Sequence, residues 1–409
     1  MEADDLAFWA GAADFEAGRS RCEFPAVVWS AEVVRRVAPF LLYENEAMSS
    51  TPSNHRPIVA IPARNEEERL PQLLHALAHQ KGISRGISLP VVVILNNCTD
   101  RSAAVAAAEA ARSPLLAIDI IEVEFADDDA HVGSARRLAM EQAALSFNGV
   151  ANGVILTTDA DAVPPPNWVA ANLRAIADGA DIVGGRICGD PNEERELGQE
   201  FCERAAAYLA YSALKDHLAS LVDPLPYDPW PRHWDHTGAS LALRADVYRE
   251  VGGLRPLPRR EDLDLVTRVR AAGYKLRHAP EVVVRVSARL NGRAQGGMAD
   301  CLKSWIRDVA DGHPVLVEDP TRILQRLVRR RQIRDLGALP AEDRRAAAQK
   351  LGFDASLIAD MVEGQLSPVA LIERIAADDP DAPATVPAEV AMTVLERHIS
   401  EREGASVAA

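Results

Sequence analysis

From Pro57 onward, apolar runs of strand length alternate with polar-start segments of helical length, and this alternation constrains the chain more than any other feature. It reads RPIVAIPA, EEERLPQLLHALAHQ, LPVVVILNN, DRSAAVAAAEAA, LLAIDIIEVEF, GSARRLAMEQAAL, GVILTTDAD. Near-continuous Val, Ile and Leu runs suit strands buried on both faces, so the pattern predicts a doubly wound α/β sheet of Rossmann-like type. Ligands of such sheets bind beyond the carboxyl ends of the strands. Residues 63–66, 96–100 and 159–161 should therefore converge on one site.

Further along come a helix (NWVAANLRAIADG), a strand (ADIVGGRI), a long helical stretch, the loop DPLPYDPWPRHWDH, a strand (ASLALR), the acidic turn RREDLD and a strand (EVVVRV). The remainder reads as amphipathic helices with an Arg-rich face, then an Ala/Asp/Pro-rich loose tail. Three segments result: an N-terminal helical extension and linker (1–56), a main α/β domain (57–290) and a C-terminal helical appendage (291–409). The N-terminal segment reads as short helices up to residue 47 before the polar leader SSTPSNHRP, and Met48 is a possible alternative translation start.

Composition narrows the function classes. The formal charge is −15, so nothing basic dominates and general nucleic-acid binding is not expected. No apolar run approaches the roughly 20 residues that span a bilayer, and the acidic N-terminus is unlike a signal peptide, which together predict a cytoplasmic protein. Cys22, Cys98, Cys188, Cys202 and Cys301 are odd in number and lack metal-ligand spacing, so neither disulfides nor structural zinc are expected.

The chemistry concentrates in VILTTDADAVPPPNW. Side chains alternate along an extended chain, so Asp159 and Asp161 point to one side, where two hard oxygen donors suit Mg²⁺ or Mn²⁺ on a diphosphate. A lone pair of this kind is more often a solvated turn. Its company distinguishes the two readings. In order and spacing, IPARNEEERL, VILNNCTDRS, HVGSARRLAMEQA, TTDADAVPPPNWV, TGASLALRADVYREVGGL and RREDLDLVTRVRAAGYKLRHAP resemble the family 2 glycosyltransferases, which have a GT-A fold, over residues 57–286.

That resemblance implies an inverting, metal-assisted transfer of a sugar from a nucleotide-sugar to a hydroxyl acceptor. It implies that Pro62, Arg64, Asn65 and Glu66 hold base and ribose, with Asn96, Asn97 and Asp100 completing the pocket. It places Arg136 against the nucleotide, Asp159 and Asp161 at the metal and diphosphate, and Asp262 as the general base. Physical chemistry agrees: a dication neutralises charge developing on the leaving diphosphate, and a carboxylate that takes the acceptor's proton contributes roughly 10²–10⁴-fold. Without the family, Glu261, Asp262 and Asp264 read more readily as complements to a helix N-terminus.

Two departures stand out. Asn96 and Asn97 replace the family's frequent Asp pair, and an amide offers both donor and acceptor to a base edge. The metal-binding His found in many members is missing from VVVRVSARL, where Arg285, Ser287 or Arg289 takes its space and an arginine is able to meet phosphate directly. No QxxRW-type motif or membrane helix is present, which predicts single addition by a soluble enzyme. Arg289, Arg293 and the glycines of GRAQGG are candidates for a lid over the diphosphate, and RRRQIR for a solvated, internally paired or membrane-facing surface. The aromatic loop, with Trp230, Trp234 and His236, is the candidate acceptor platform, together with Glu261 beside the base.

The expected activity is thus single-sugar transfer from a UDP- or GDP-sugar. A catalytically silent GT-A binding module and a nucleotidyltransferase are the rivals. The latter calls for a Gly-rich, Lys-containing phosphate loop after the first strand, where this chain has ARNEEE.

Overall fold

A computed structural model describes residues 54–82, 87–293, 296–379 and 382–407. The segment expected to form N-terminal helices, most of the leader and Met48 lie outside them. The strands are β1 (Arg56–Ala63), β2 (Leu89–Asn96), β3 (Leu116–Val123), β4 (Gly153–Thr157), β5 (Ala162–Val163), β6 (Ile182–Gly189), β7 (Leu241–Arg244) and β8 (Leu276–Val286). They form one sheet in the order β3-β2-β1-β4-β7-β6-β8-β5. Strands β3, β2, β1 and β4 run parallel, as the alternation predicts. Strand β7 pairs antiparallel with both β4 and β6, and β5 pairs antiparallel with β8.

The helices of this domain are α1 (Leu70–Ala78), α2 (Ser102–Arg112), α3 (Val132–Ser146), α4 (Trp168–Ala177), α5 (Pro191–Glu196), α6 (Gln199–Val222), α7 (Ala245–Glu250) and α8 (Glu261–Ala271). Side-chain alternation divides each central strand between two cores. Val59, Ile61, Val91 and Val93 meet Leu70, Leu73 and Leu77 of α1 and Trp168 of α4 on one face. Ile58, Ala60, Val92 and Ile94 meet Ala139, Met140 and Ala143 of α3 and Leu265 and Val269 of α8 on the other. Double-sided burial is why β1 and β2 carry no polar residue in their central stretches. Strand β3 closes the edge, and its LAIDIIEV places Asp119 and Glu122 among partly exposed neighbours.

The C-terminal region comprises α9 (Met298–Ala310), β9 (Leu316–Glu318), α10 (Pro320–Ala338), α11 (Ala341–Lys350), α12 (Ala355–Val362), α13 (Pro368–Ile375), β10 (Ala384–Pro387) and α14 (Ala388–Val407). Two findings differ from the sequence reading. Strands continue past residue 291, because β9 and β10 pair with each other. The tail is a helix: Ala391, Leu395 and Ile399 recur every four residues and bury against Tyr211, Leu214 and Leu218 of α6 and Leu327 of α10. The appendage shares that core with the α/β domain. Its Arg-rich face is paired internally: Arg334 donates to Asp223 at 2.9 Å, Arg331 meets Asp335 at 2.8 Å, and buried Arg330 meets Asp378 at 2.8 Å. Among the described residues no helix is long and apolar enough to cross a membrane.

Candidate active site

Where β1 and β2 end, the backbone turns through left-handed conformations at Asn65 (φ 55°) and Asn97 (φ 47°). Asparagine tolerates that region better than most residues, which gives these positions a local reason for their amides. The two loops then lock together. Asn65 Oδ1 accepts from Thr99 N–H at 2.8 Å, Asp100 Oδ2 from Glu67 N–H at 3.0 Å, and Ser102 Oγ from Glu66 N–H at 2.8 Å. Burial opposes ionisation of Asp100, yet the hydroxyl and amide of Ser102 and the amide of Glu67 hold its carboxyl below the usual range. Asn97 exchanges two bonds with the Phe125 backbone, at 2.9 and 3.0 Å. Buried Asn96 donates to His131 O at 3.2 Å, and its own Oδ1 has no hydrogen-bond partner.

Arg136 on α3 is the hub of the site. Its guanidinium is 3 % exposed and donates from Nη2 to Asp159 Oδ1 at 2.6 Å and from Nε to Glu261 Oε1 at 3.0 Å. Nη1 donates to Thr157 Oγ1 at 3.0 Å and to Gly238 O at 2.8 Å. Burial disfavours its charge, but Asp159 and Glu261 outweigh that and keep it firmly protonated. Gly238 is a glycine for a reason: a Cβ there would lie 2.4 Å from the guanidinium carbon. The same residue's N–H donates to Asp262 Oδ2 at 2.6 Å, while Leu263 N–H serves Oδ1 at 2.8 Å. One residue thus connects the wall carrying Asp159 to the carboxylate of Asp262. Arg260, left-handed at φ 57°, turns the chain into α8 so that Glu261 and Asp262 head the helix.

Asp161 is held differently. The antiparallel pairing of Ala162 with Val286 brings the segment after β8 against the DAD turn. Arg289 from that segment lies 3.0 Å from Asp161 Oδ2 and forks onto both oxygens of Glu66, at 2.8 Å from Oε2 and closely from Oε1. Glu193 of α5 pins the segment, accepting from Ser287 Oγ at 2.8 Å and Ala288 N–H at 2.7 Å. Arg293 donates to Asn65 O at 3.2 Å. Residues 294 and 295 of the GRAQGG stretch lie outside the described residues. Burial first, then Asp159 and Glu66, push the Asp161 carboxyl up to about 7, against the pull of Arg289. The site is therefore short of positive charge.

A divalent cation fits that deficit. Asp159 and Asp161 supply hard oxygens, and the raised Asp161 carboxyl marks where added positive charge is most stabilising. Among the described residues no group of three His, Cys, Asp or Glu forms a ready ligand set, so the remaining coordination would have to come from phosphate and water.

The remaining candidates sit elsewhere. Trp230 stacks on His217 at 4.4 Å between ring centres, and Trp234 on His278 at 5.4 Å. His236 Nδ1 is 3.2 Å from His278 Nε2, and its Cβ faces Gly184 in the middle of β6. Trp234 and His236 thus lie against β8 and β6, Trp230 lies against α6, and Glu261 is buried on Arg136 beside Asp262. Pro62 is buried within β1, and Arg64 Nη1 donates to Ala130 O at 2.5 Å. Thr157, Gly238 and Glu193 carry site geometry that spacing alone did not expose.

The glycosyl transferase family 2 model matches residues 58–218, which span β1 to most of α6 and include the DAD turn. This segment is similar to a family 2 glycosyltransferase domain. The domain's fold is mixed α/β with a mainly parallel sheet. Solved structures similar to the chain include a mannosyltransferase, PcManGT from Pyrobaculum calidifontis, in complex with GDP-Man and Mn²⁺ (15 % identity, 84 % of this chain and 95 % of that one, TM-score 0.42). Another is residues 1–349 of S. aureus TarS with UDP-GlcNAc (15 %, 85 % and 92 %, TM-score 0.41). A third is the glucosyl-3-phosphoglycerate synthase of M. tuberculosis (14 %, 63 % and 78 %, TM-score 0.33). No curated protein matches the chain.

Proposed function

We propose that the chain is an inverting glycosyltransferase that moves one sugar from a UDP- or GDP-sugar to a hydroxyl acceptor with the assistance of Mg²⁺ or Mn²⁺. The observation that carries this reading is the single hydrogen-bonded path from Asp159 through Arg136 and Gly238 to Asp262. It fixes a diphosphate-facing carboxylate and a proton-accepting carboxylate in one frame, as a direct displacement at a sugar carbon requires.

In this reading Asn65, Glu66, Asn96, Asp100 and their loops receive the nucleoside. The unpaired Oδ1 of Asn96 suits a base with a ring N–H, which uracil and guanine both present. Asp159 and Asp161 face the diphosphate, and a divalent ion bound there would neutralise charge on the leaving group. Asp262, oriented by two backbone amides, takes the proton of the acceptor hydroxyl on the side opposite the leaving group, so the anomeric configuration inverts. Glu261 anchors Arg136 beside the acceptor-facing carboxylate of Asp262. The acceptor itself is a saccharide or small molecule carrying a free hydroxyl.

The test is a panel of UDP- and GDP-sugars incubated with protein and Mn²⁺, with water as the acceptor of last resort. Release of nucleoside diphosphate that Asp262→Asn suppresses while calorimetric binding persists supports the assignment. Binding without turnover across the panel would favour a silent binding module.

A further inference from the structure

We propose that Arg289 is the resident cation of the diphosphate site: it competes with a divalent metal for Asp161 and, once displaced, meets the donor's phosphate. The inference rests on the donor-site reading above. Its starting point is that one guanidinium joins two carboxylates far apart in sequence, Glu66 after β1 and Asp161 before β5. The placement is built into the fold. The β5–β8 register brings the segment alongside, and Glu193 grips Ser287 and Ala288 immediately before the arginine. Glu193 is itself held by Arg69 at 2.6 Å.

Arg289 occupies the coordination space of Asp161 Oδ2. A dication and a guanidinium crowded onto one carboxylate repel each other strongly where the dielectric is low, so occupancy by one disfavours the other. Glu66 offers the displaced arginine a retained anchor through its second fork. A planar guanidinium suits bidentate contact with phosphate, which the incoming donor supplies together with the negative charge that the arginine loses at Asp161. Metal alone should therefore bind weakly, and metal with nucleoside diphosphate should bind well. The two ligands enter as a pair because the phosphate accommodates the cation that the metal evicts.

Calorimetric titration of the full chain tests this with Mn²⁺ alone, and with UDP and GDP at saturating Mn²⁺. Removing one charge-assisted partner corresponds to about tenfold in affinity. Arg289→Ala should bind Mn²⁺ alone about tenfold more tightly, and UDP or GDP about tenfold more weakly, than the unaltered protein. Opposite signs cannot arise from partial unfolding. Arg289→Lys, which keeps the charge without the fork, should lie between the two, and Glu193→Gln, which loosens the grip, should shift both affinities in the direction of Arg289→Ala. Mn²⁺ affinity that is unchanged or weaker in Arg289→Ala, or nucleotide affinity that is unchanged, would overturn the proposal. An unaltered protein that binds neither Mn²⁺ nor UDP nor GDP would remove the donor-site reading itself, a result distinguishable from any behaviour of the variants.

Discussion

Asp161 and Asp228 are both carboxylates enclosed by the fold with an arginine in contact, and they titrate in opposite directions. Asp228, in the loop before β7, is 2 % exposed. It accepts from the backbone N–H of His278 at 2.8 Å, approaches His278 Nδ1 at 2.9 Å, and takes further bonds from Arg277 at 2.8 Å and Arg232 at 3.3 Å. Burial works against its charge, but His278 and Arg232 more than compensate and hold the carboxyl well below its usual range. Asp161, at the sheet's carboxyl edge, has one arginine, shared with Glu66, and two carboxylate neighbours, and is pushed up to about 7. The difference separates a group that secures packing from one left waiting for positive charge. Uncompensated charge of this kind marks chemistry more often than architecture.

The comparison can be broken at several points. Asp262→Asn carries the largest expected effect, a loss of roughly 10²–10⁴-fold in donor turnover with nucleotide binding retained, because the proton acceptor is removed while the nucleotide-facing residues are untouched. Turnover assays beside calorimetry check it. Next, Asp228→Ala should destabilise the fold by about 3–5 kcal/mol, since it removes the carboxylate that buried Arg232 and His278 share. Denaturant midpoints would show this, and nucleotide affinity per folded molecule should be unchanged. Asp161→Asn should behave in the opposite way. It should lose metal-dependent nucleotide binding yet leave the melting temperature equal or higher, by at most about 1 kcal/mol, because the charge removed is under-compensated.

A further effect is in pH. Burial, then His278, pushes His236 down to about 3, and His233 is also lowered well below its ordinary value. A histidine kept neutral by the fold contributes stability that is complete above its unfolded pKa of about 6.5 and declines as pH falls toward its folded value. Thermal midpoints should therefore drop between about pH 6.5 and 4, with an upper limit of roughly 1.4 kcal/mol per pH unit for each histidine. His236→Asn should flatten that slope, and an unchanged slope would show that the ring is not held neutral.

Much of the architecture was legible because double-sided burial leaves an uninterrupted apolar record in RPIVAIPA and LPVVVILN, and strand ends facing a ligand carry charges that burial forbids elsewhere. The DAD turn followed from that logic, and Asp262 from the family resemblance. What stayed hidden depends on pairings between distant segments. The two-residue strand Ala162–Val163 has too little sequence to announce itself, yet its register with β8 decides that Arg289, and not Arg285 or Ser287, meets Asp161. Gly238 looked like one glycine among 24 until Arg136 was seen to occupy the space of its missing Cβ. The aromatics of the 223–236 loop suggest a ring platform by composition alone, and only their packing on His217 and His278 shows which rings they already face. In the tail, Ala391, Leu395 and Ile399 carried a readable stripe that the surrounding Ala, Asp and Pro content obscured.

The central claim, that the carboxyl edge of this sheet displaces a nucleoside diphosphate from a sugar, is tested most directly by ³¹P and ¹H NMR of the full chain with UDP- and GDP-sugars and Mn²⁺. The account predicts nucleoside diphosphate released from at least one donor, an initial product of inverted anomeric configuration, and neither signal with Asp262→Asn. An initial product of retained configuration, or equal release by Asp262→Asn, would contradict it.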